Sequence, residues 1–298
     1  MRDLSIIIPA LNEPTAPGVV RELYRVFGRD TEIIVVNKSS RKIENELRGT
    51  GAKVVEQFPL SYESALMQGF RIARGRMLAT LDADGTYDPK DLKRAVDEIR
   101  KGRYGFVSAA RVIGRSKAMT NTIRFGNSFL TKMFNILYRQ KMLDVLSGSF
   151  VITREAFDYI RHMDPYRAGT LFFEIEIARR GYRTENVVGS YKPRMSSSKI
   201  SKFKPFYGLT MAYHAIRSAR DYNPLLIFGS VGLIAIIAGL VIGVFVFINF
   251  LHTGTLVFVG RALVAFMLIV LGFVSVVSGL ILDLLLGIEK RLYRMRRE

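Results

Sequence analysis

Short apolar runs alternate with amphipathic stretches along the first hundred residues. Leu4–Ile8, Glu32–Val36, Ala52–Glu56, Met77–Leu81 and Tyr104–Ala109 read as strands. Between them Gly18–Phe27, Ile43–Arg48, Tyr62–Arg74 and Pro89–Lys101 read as helices. This alternation predicts an α/β fold with a parallel, doubly wound sheet. Ligands of such sheets bind beyond the carboxyl ends of the strands. The loops after Ile8 (Pro9–Pro14), Val36 and Leu81 are therefore expected to converge on one rim. After Ala110 the pattern loosens: a long helical segment, Met119–Tyr138, precedes Leu146–Thr153, a helix near Leu171–Arg180 and a strand near Thr184–Val188.

A different pattern begins at Pro224. Leu225–Leu251 holds 27 residues without a charge, about 40 Å of helix at ~1.5 Å per residue. That exceeds the ~30 Å hydrocarbon core of a bilayer. Ala262–Leu282 is a second such stretch, with Asp283 at its end, and His252-Thr253-Gly254-Thr255 makes the turn between them. Arg217 and Arg220 precede the pair, and Lys290, Arg291, Arg294, Arg296 and Arg297 follow it. This basic excess predicts that both ends of a transmembrane hairpin are cytoplasmic. The N-terminal opening lacks a signal-peptide pattern, which puts the first domain on the same side. Phe203–Tyr222 mixes aromatic and basic residues and reads either as an amphipathic interfacial helix or as a packed linker helix. The expected layout is a cytoplasmic catalytic domain over 1–200, an amphipathic linker over 201–223, two spans over 224–288 and a basic tail over 289–298.

Composition sharpens this picture. The 298 residues carry 44 Lys and Arg against 26 Asp and Glu, a formal charge of +18. Such a balance suits nucleic acid, but beside two spans it favours an anionic lipid surface and phosphorylated substrates, and nucleic acid is not expected as a partner. The absence of cysteine excludes disulfides and thiolate metal sites.

The chemistry concentrates in Thr80-Leu81-Asp82-Ala83-Asp84-Gly85-Thr86-Tyr87. Two carboxylates one residue apart, at the end of a buried strand, can hold a divalent cation and through it a diphosphate. An isolated Asp-x-Asp is more often a solvated turn. Here it precedes Gly85 and a helix started by Asp88-Pro89, which favours the metal or nucleotide role. Hard oxygen ligands select Mg²⁺ or Mn²⁺.

Ser5-Ile6-Ile7-Ile8-Pro9-Ala10-Leu11-Asn12-Glu13 resembles the opening strand and loop of the family 2 glycosyltransferases, and Gly69–Gly75 leading into Leu81–Gly85 resembles their central block. Within that family the likeness is greatest to the dolichyl-phosphate mannose synthase group and other polyprenyl-phosphate glycosyltransferases. It extends over roughly residues 3–200, and the apolar hairpin matches the anchored members. The resemblance implies a glycosyltransferase-A type, Rossmann-like, mostly parallel sheet followed by a C-terminal transmembrane hairpin. It implies that Pro9, Leu11, Glu13, Asn37, Asp82, Ala83 and Asp84 contact a nucleotide sugar. Asp82 and Asp84 would hold the metal-diphosphate, with Thr86 at a position that is often Gln in the family. Arg111, Arg124 and Arg194 match acceptor-phosphate positions, with Lys199 beside them; planar guanidinium forks suit phosphate. The stretch Asp144 to Ser147-Gly148 echoes a family motif but continues Ser149-Phe150, so Asp144 is read as structural. Glu174 and Glu176 either line the acceptor groove or face solvent.

Two departures fall on the nucleotide side. Val36-Asn37-Lys38-Ser39-Ser40 replaces a loop that usually carries an Asp, and Ser61-Tyr62-Glu63 replaces a Gly-Lys-Gly. The expected reaction is metal-dependent, inverting transfer of a sugar from GDP-mannose or a UDP-hexose to a membrane polyprenyl or dolichyl phosphate, making a lipid-linked sugar for glycosylation. A phosphate acceptor is already anionic at neutral pH and needs no strong general base. Asp84 would then act at the leaving diphosphate, and Arg111, Arg124 and Arg194 at the acceptor. Rival readings are a non-catalytic nucleotide-sugar-binding protein and a family 2 enzyme with another lipid acceptor. A processive polysaccharide synthase would need a Gln-x-x-Arg-Trp motif, and the chain has no Trp. Association through the hairpin into a homo-oligomer is a further expectation.

Overall fold

The computed structural model describes residues 2–58, 61–113, 119, 121–163, 171–193, 224–255 and 258–295. The chain divides into two compact units, Met1–Ala215 and Ile216–Glu298.

The first unit is built on a seven-stranded sheet. Its elements in chain order are β1 (Arg2–Leu11), α1 (Ala16–Phe27), β2 (Glu32–Lys38), α2 (Arg41–Arg48), β3 (Lys53–Glu56), α3 (Tyr62–Ile72), β4 (Gly75–Thr80), α4 (Pro89–Ile99) and β5 (Phe106–Ile113). Then come α5 (Asn121–Tyr138), β6 (Phe150–Thr153), α6 (Arg154–Ile160), α7 (Phe172–Arg179) and β7 (Thr184–Ser190). The strand order is β3-β2-β1-β4-β6-β5-β7. All pairings are parallel except those of β6, which runs antiparallel to both β4 and β5.

The apolar runs are continuous because both faces of the central strands are covered. Leu4, Ile6, Ile8 and Ala10 lie in one core with Val19, Val20 and Leu23 of α1 and Leu92, Ala95 and Val96 of α4. Ile7 faces the other way, against α3, where a Cβ on Gly69 would sit 2.5 Å from Ile7 Cγ2. On that second face Phe70 packs tilted or edge-on against Phe150, Phe157 and Phe173 at centroid separations of 5.3–6.2 Å. The helices begin where the sequence supplies caps: Ser61 accepts from the Ser64 amide, Asp88 from Lys90, and Thr153 from Ala156. Such caps satisfy amides that have no intrahelical partner.

β1 runs three residues beyond its expected end, through Pro9. A proline lacks the N–H that a central strand needs. Here β1's pairing with β4 ends at Ile7–Thr80 while its pairing with β2 continues to Leu11–Lys38. Past Ile7 the strand is an edge on one side, and proline is tolerated there.

The second unit is a pair of antiparallel helices, α8 (Pro224–Thr253) and α9 (Val259–Met295), both long and apolar enough to cross a membrane. Their backbones touch. A Cβ on Gly232 would lie 2.5 Å from the Gly272 carbonyl oxygen, and one on Gly272 would lie 2.6 Å from that of Gly232. Ser275 Oγ donates to the Phe228 carbonyl at 2.8 Å. Small residues at such crossings permit the close packing that holds helices together in lipid. The expected amphipathic linker over 201–223 lies outside the described residues. Gly272→Leu is expected to wedge the two helices apart, at an overpacking cost of about 1–3 kcal/mol, and so to lower the melting temperature of the full chain in detergent. Gly260→Leu, which meets open space, is expected to leave it unchanged.

Candidate active site

The rim of the first unit's sheet is set by register. Ala10 pairs with Asn37 and Ile7 with Thr80, so the loops after β1, β2 and β4 emerge at one edge, as their spacing predicts. Because β6 is antiparallel, its beginning is at that same edge. Thr80 pairs with Phe150, and Phe150 with Ser108. Two residues beyond the Thr80–Phe150 pair, Asp82 and Gly148 come alongside one another.

The contact between Asp82 and Gly148 is close. A Cβ on Gly148 would stand 2.1 Å from Asp82 Oδ2 and 2.5 Å from its Cγ, a space only glycine leaves open. Asp82 Oδ1 accepts the Tyr62 hydroxyl at 2.9 Å. Burial, and then the charge of Asp82, push the Tyr62 phenol well above its usual range, so it stays a donor. Asp84 Oδ1 accepts from Thr86 N at 3.1 Å and Thr86 Oγ1 at 2.7 Å. Gly85 between them has φ +73°, a turn conformation that side chains resist.

The first loop is tied to this turn by Thr15. Its hydroxyl lies 2.8 Å from Glu13 Oε1 and 2.7 Å from the carbonyl of Ala83. Glu13 and Ala83 are buried, Pro9 is half-buried and Leu11 exposed. Asn37, at the end of β2, is also buried, and its Oδ1 has no hydrogen-bond partner among the described residues. Lys38 beside it pairs with Glu56 at 2.5 Å.

Arg111 stands at the end of β5, where the pairing with β7 slips between Arg111 and Ile113; such irregularities re-aim side chains at functional edges. Its Nε and Nη2 donate to the two oxygens of Asp144 at 2.6 and 2.8 Å. Asn127 Nδ2 donates to Asp144 Oδ1 at 2.9 Å. Burial alone would raise the Asp144 carboxyl, but these bonds and the Arg111 charge hold it at about 2. The Arg111 guanidinium also lies 5.6 Å from the Tyr191 ring centroid. Tyr191 packs edge-on to Tyr87 at 5.3 Å, and the Tyr87 hydroxyl accepts from the Gly148 amide at 2.7 Å. One chain of contacts therefore joins the arginine to the glycine that shelters Asp82. Arg124 is half-buried in the first turn of α5, one turn before Asn127 and on the same side of the helix. Arg194 and Lys199 lie outside the described residues.

Among the described residues no group of three His, Cys, Asp or Glu converges as a metal site. Asp82 and Asp84 form a two-carboxylate set of hard oxygens. Mg²⁺ is commonly held by one or two carboxylates plus substrate phosphates. The donor set fits the expected cation in that sense.

Several contributors escape the sequence pattern. Tyr62 comes from the segment that departs from the Gly-Lys-Gly pattern, Tyr87 and Gly148 lie in stretches singled out for other residues, and Tyr191 carries no motif. Glu174, buried on α7, has its Oε2 unpaired among the described residues. Burial, with the charges of Asp144 and Glu63 adding to it, pushes its carboxyl up to about 8. Glu176 instead pairs with Arg179 and Arg180.

The sequence profile described as Glycosyl transferase family 2 matches residues 5–161, just over half of the chain. Glycosyltransferase AglJ of Haloferax volcanii is 29% identical over 244 residues, covering 81% of this chain and 80% of that one. A dolichyl-phosphate hexose transferase of the same organism is 26% identical over 202 residues, covering 67% and 88%. Among solved structures, glucosyl-3-phosphoglycerate synthase from Mycobacterium tuberculosis, in complex with Mn²⁺, UDP and phosphoglyceric acid, superposes with a TM-score of 0.55 at 16% identity. It covers 73% of this chain and 78% of that one, a likeness of fold.

Two outcomes follow from this geometry. Gly148→Ala is expected to force the Asp82 carboxylate aside and to lower thermal stability by an overpacking cost of about 1–3 kcal/mol, read as a fall in melting temperature. Glu174 is raised in the folded state, so the stability it contributes is complete below its ordinary value of 4.5 and is lost as pH rises through about 8. Glu174→Gln is expected to flatten the decline in melting temperature over that interval.

Proposed function

Since this chain belongs to glycosyl transferase family 2 and is a glycosyltransferase, we propose that it moves a sugar from a nucleotide sugar to a polyprenyl or dolichyl phosphate held in a membrane. The observation that carries the proposal is one juxtaposition. A carboxylate pair at the end of β4 is linked, through Gly148, Tyr87 and Tyr191, to the Arg111–Asp144 pair at the end of β5, in a chain with two helices long enough to span a bilayer. The name of the dolichyl-phosphate hexose transferase relative supports a lipid-phosphate acceptor.

In this reading the donor nucleotide lies along the loops after β1 and β2. Pro9 and Leu11 flank it, Glu13 is presented by Thr15, and the unpaired Asn37 Oδ1 accepts an N–H of the base. Ala83 lines the turn below the diphosphate. A Mg²⁺ or Mn²⁺ held by Asp82 and Asp84, next to Thr86, would supply Lewis-acid neutralisation of the leaving diphosphate. Tyr62 orients Asp82, and Thr86 orients Asp84.

On the acceptor side, Asp144 takes the Nε–Nη2 edge of Arg111. It thereby fixes the guanidinium plane and leaves the Nη1 donors for a phosphate. Arg124, one turn from Asn127, is the second cation, and Arg194 with Lys199 completes the set. Their charge offsets the repulsion between two anionic reactants, and in-line attack by the phosphate oxygen inverts the sugar centre. The two apolar helices anchor the protein as a membrane hairpin, with the catalytic unit and the basic tail on the cytoplasmic side.

The test is product formation by the full chain in nanodiscs, supplied with polyprenyl phosphate, Mn²⁺ and radiolabelled UDP- or GDP-sugars. Organic-phase label is expected with the wild type and is expected to vanish with Asp84→Ala while the melting temperature holds. Label confined to the aqueous phase for every donor would sink the lipid-acceptor reading.

A further inference from the structure

The outward face of α5 does not look like the surface of a water-soluble domain. Phe125 is 76% exposed, Phe129 53% and Ile136 62%. At about 100° per residue these three fall on one side of the helix, and exposed Lys132 shares it within an arc of about 60°, with exposed Arg139 following directly after the helix end. The opposite face is the ordinary one: Asn127, Leu130, Thr131, Phe134, Leu137 and Tyr138 are buried. Just past the helix, Lys141 and Leu143 are exposed as well. From Asn121 to Leu143 the chain carries four cations, Arg124, Lys132, Arg139 and Lys141, and no acidic residue.

We propose that α5 rests with this face in the headgroup layer of an anionic bilayer. Apolar side chains set between basic ones are the composition of an interfacial helix, whose apolar face enters the acyl boundary while its cations meet lipid phosphates. The chemistry selects this occupant over a second copy of the chain, because two faces of like charge in a molecule of formal charge +18 repel one another. The inference rests on the membrane-anchored reading above and deepens it. The inner side of the same helix contributes Asn127 to the Arg111–Asp144 cluster, so a lipid-seated α5 holds that cluster at headgroup depth. A lipid phosphate then reaches the guanidinium groups without leaving the membrane surface.

The chain contains no cysteine, so single nitroxide labels can be introduced without background. Full-chain variants Phe125→Cys, Phe129→Cys and Ile136→Cys, each labelled in nanodiscs containing phosphatidylglycerol, are compared with Glu46→Cys on α2 and Leu240→Cys on α8. The readout is relative relaxation by oxygen and by a water-soluble nickel chelate. The α5 labels are expected to show an oxygen-to-nickel ratio several-fold above Glu46→Cys and approaching Leu240→Cys. The double reversal Lys132→Glu/Arg139→Glu is expected to lower the ratio at position 129. Ratios on α5 equal to that at Glu46→Cys overturn the proposal, as does spin–spin broadening that reveals a second copy on this face. Lipid-linked product formed by the same samples separates the two claims. Product with a water-facing α5 removes this inference alone, and a lipid-facing α5 without product removes only the transferase assignment.

Discussion

The site depends on four residues that run against the grain of the sheet. Phe150–Thr153 enter antiparallel between β4 and β5, so the segment before them, Asp144–Ser149, is delivered to the carboxyl edge where a parallel strand would have delivered its far end. That reversal places Gly148 against Asp82 and Asp144 under Arg111. A parallel strand in the same slot would have sent both residues to the opposite edge. The Arg111–Asp144 pair is also the most exposed to error, since burying either charge alone costs several kcal/mol. Its geometry is correspondingly complete: two bonds from the guanidinium, one from the Arg111 amide and one from Asn127 converge on a single carboxylate.

Legibility in the sequence follows the range over which each feature is determined. The helix starts and the apolar strands are local, and the structure puts them within a few residues of their expected positions. The rim could be inferred because parallel strands share a direction, so Pro9, Asn37 and Asp82 had to emerge together. The role of β6 was not legible, because nothing in Ser147-Gly148-Ser149-Phe150 encodes orientation; that is decided by neighbours far away in the chain. Asp144 could be read as structural, yet its partner lies 33 residues upstream, and no spacing rule names it. Tyr62 was hidden for a different reason. The family pattern assigns nothing to a tyrosine where Gly-Lys-Gly is usual, whereas in the folded chain its hydroxyl donates to Asp82.

Charge is distributed with purpose over the first unit. The rim carries carboxylates after β4, where a cation-bridged diphosphate is expected, and the Arg111 guanidinium on β5, where a lipid phosphate is expected, with β6 between the two strands. Tyr62, Tyr87 and Tyr191 separate the two, and their phenols are all held above their usual range, chiefly by burial. Tyr62 donates to Asp82, Tyr87 accepts from the Gly148 amide, and Tyr191 packs between Tyr87 and the Arg111 guanidinium, none of them adding charge. Glu174, neutralised by the same burial, adds none at neutral pH.

The nesting of Asp82 against Gly148 has a temporal consequence. These residues are separated by 66 positions in the chain, so during synthesis the carboxylate leaves the ribosome several seconds before its shelter does, at about 5–20 residues per second. Until the later segment returns to the sheet, Asp82 is an ordinary hydrated acid in an unfinished loop. Packing of the Asp82 carboxylate is thus a late event of biogenesis, completed only after β6 has been made.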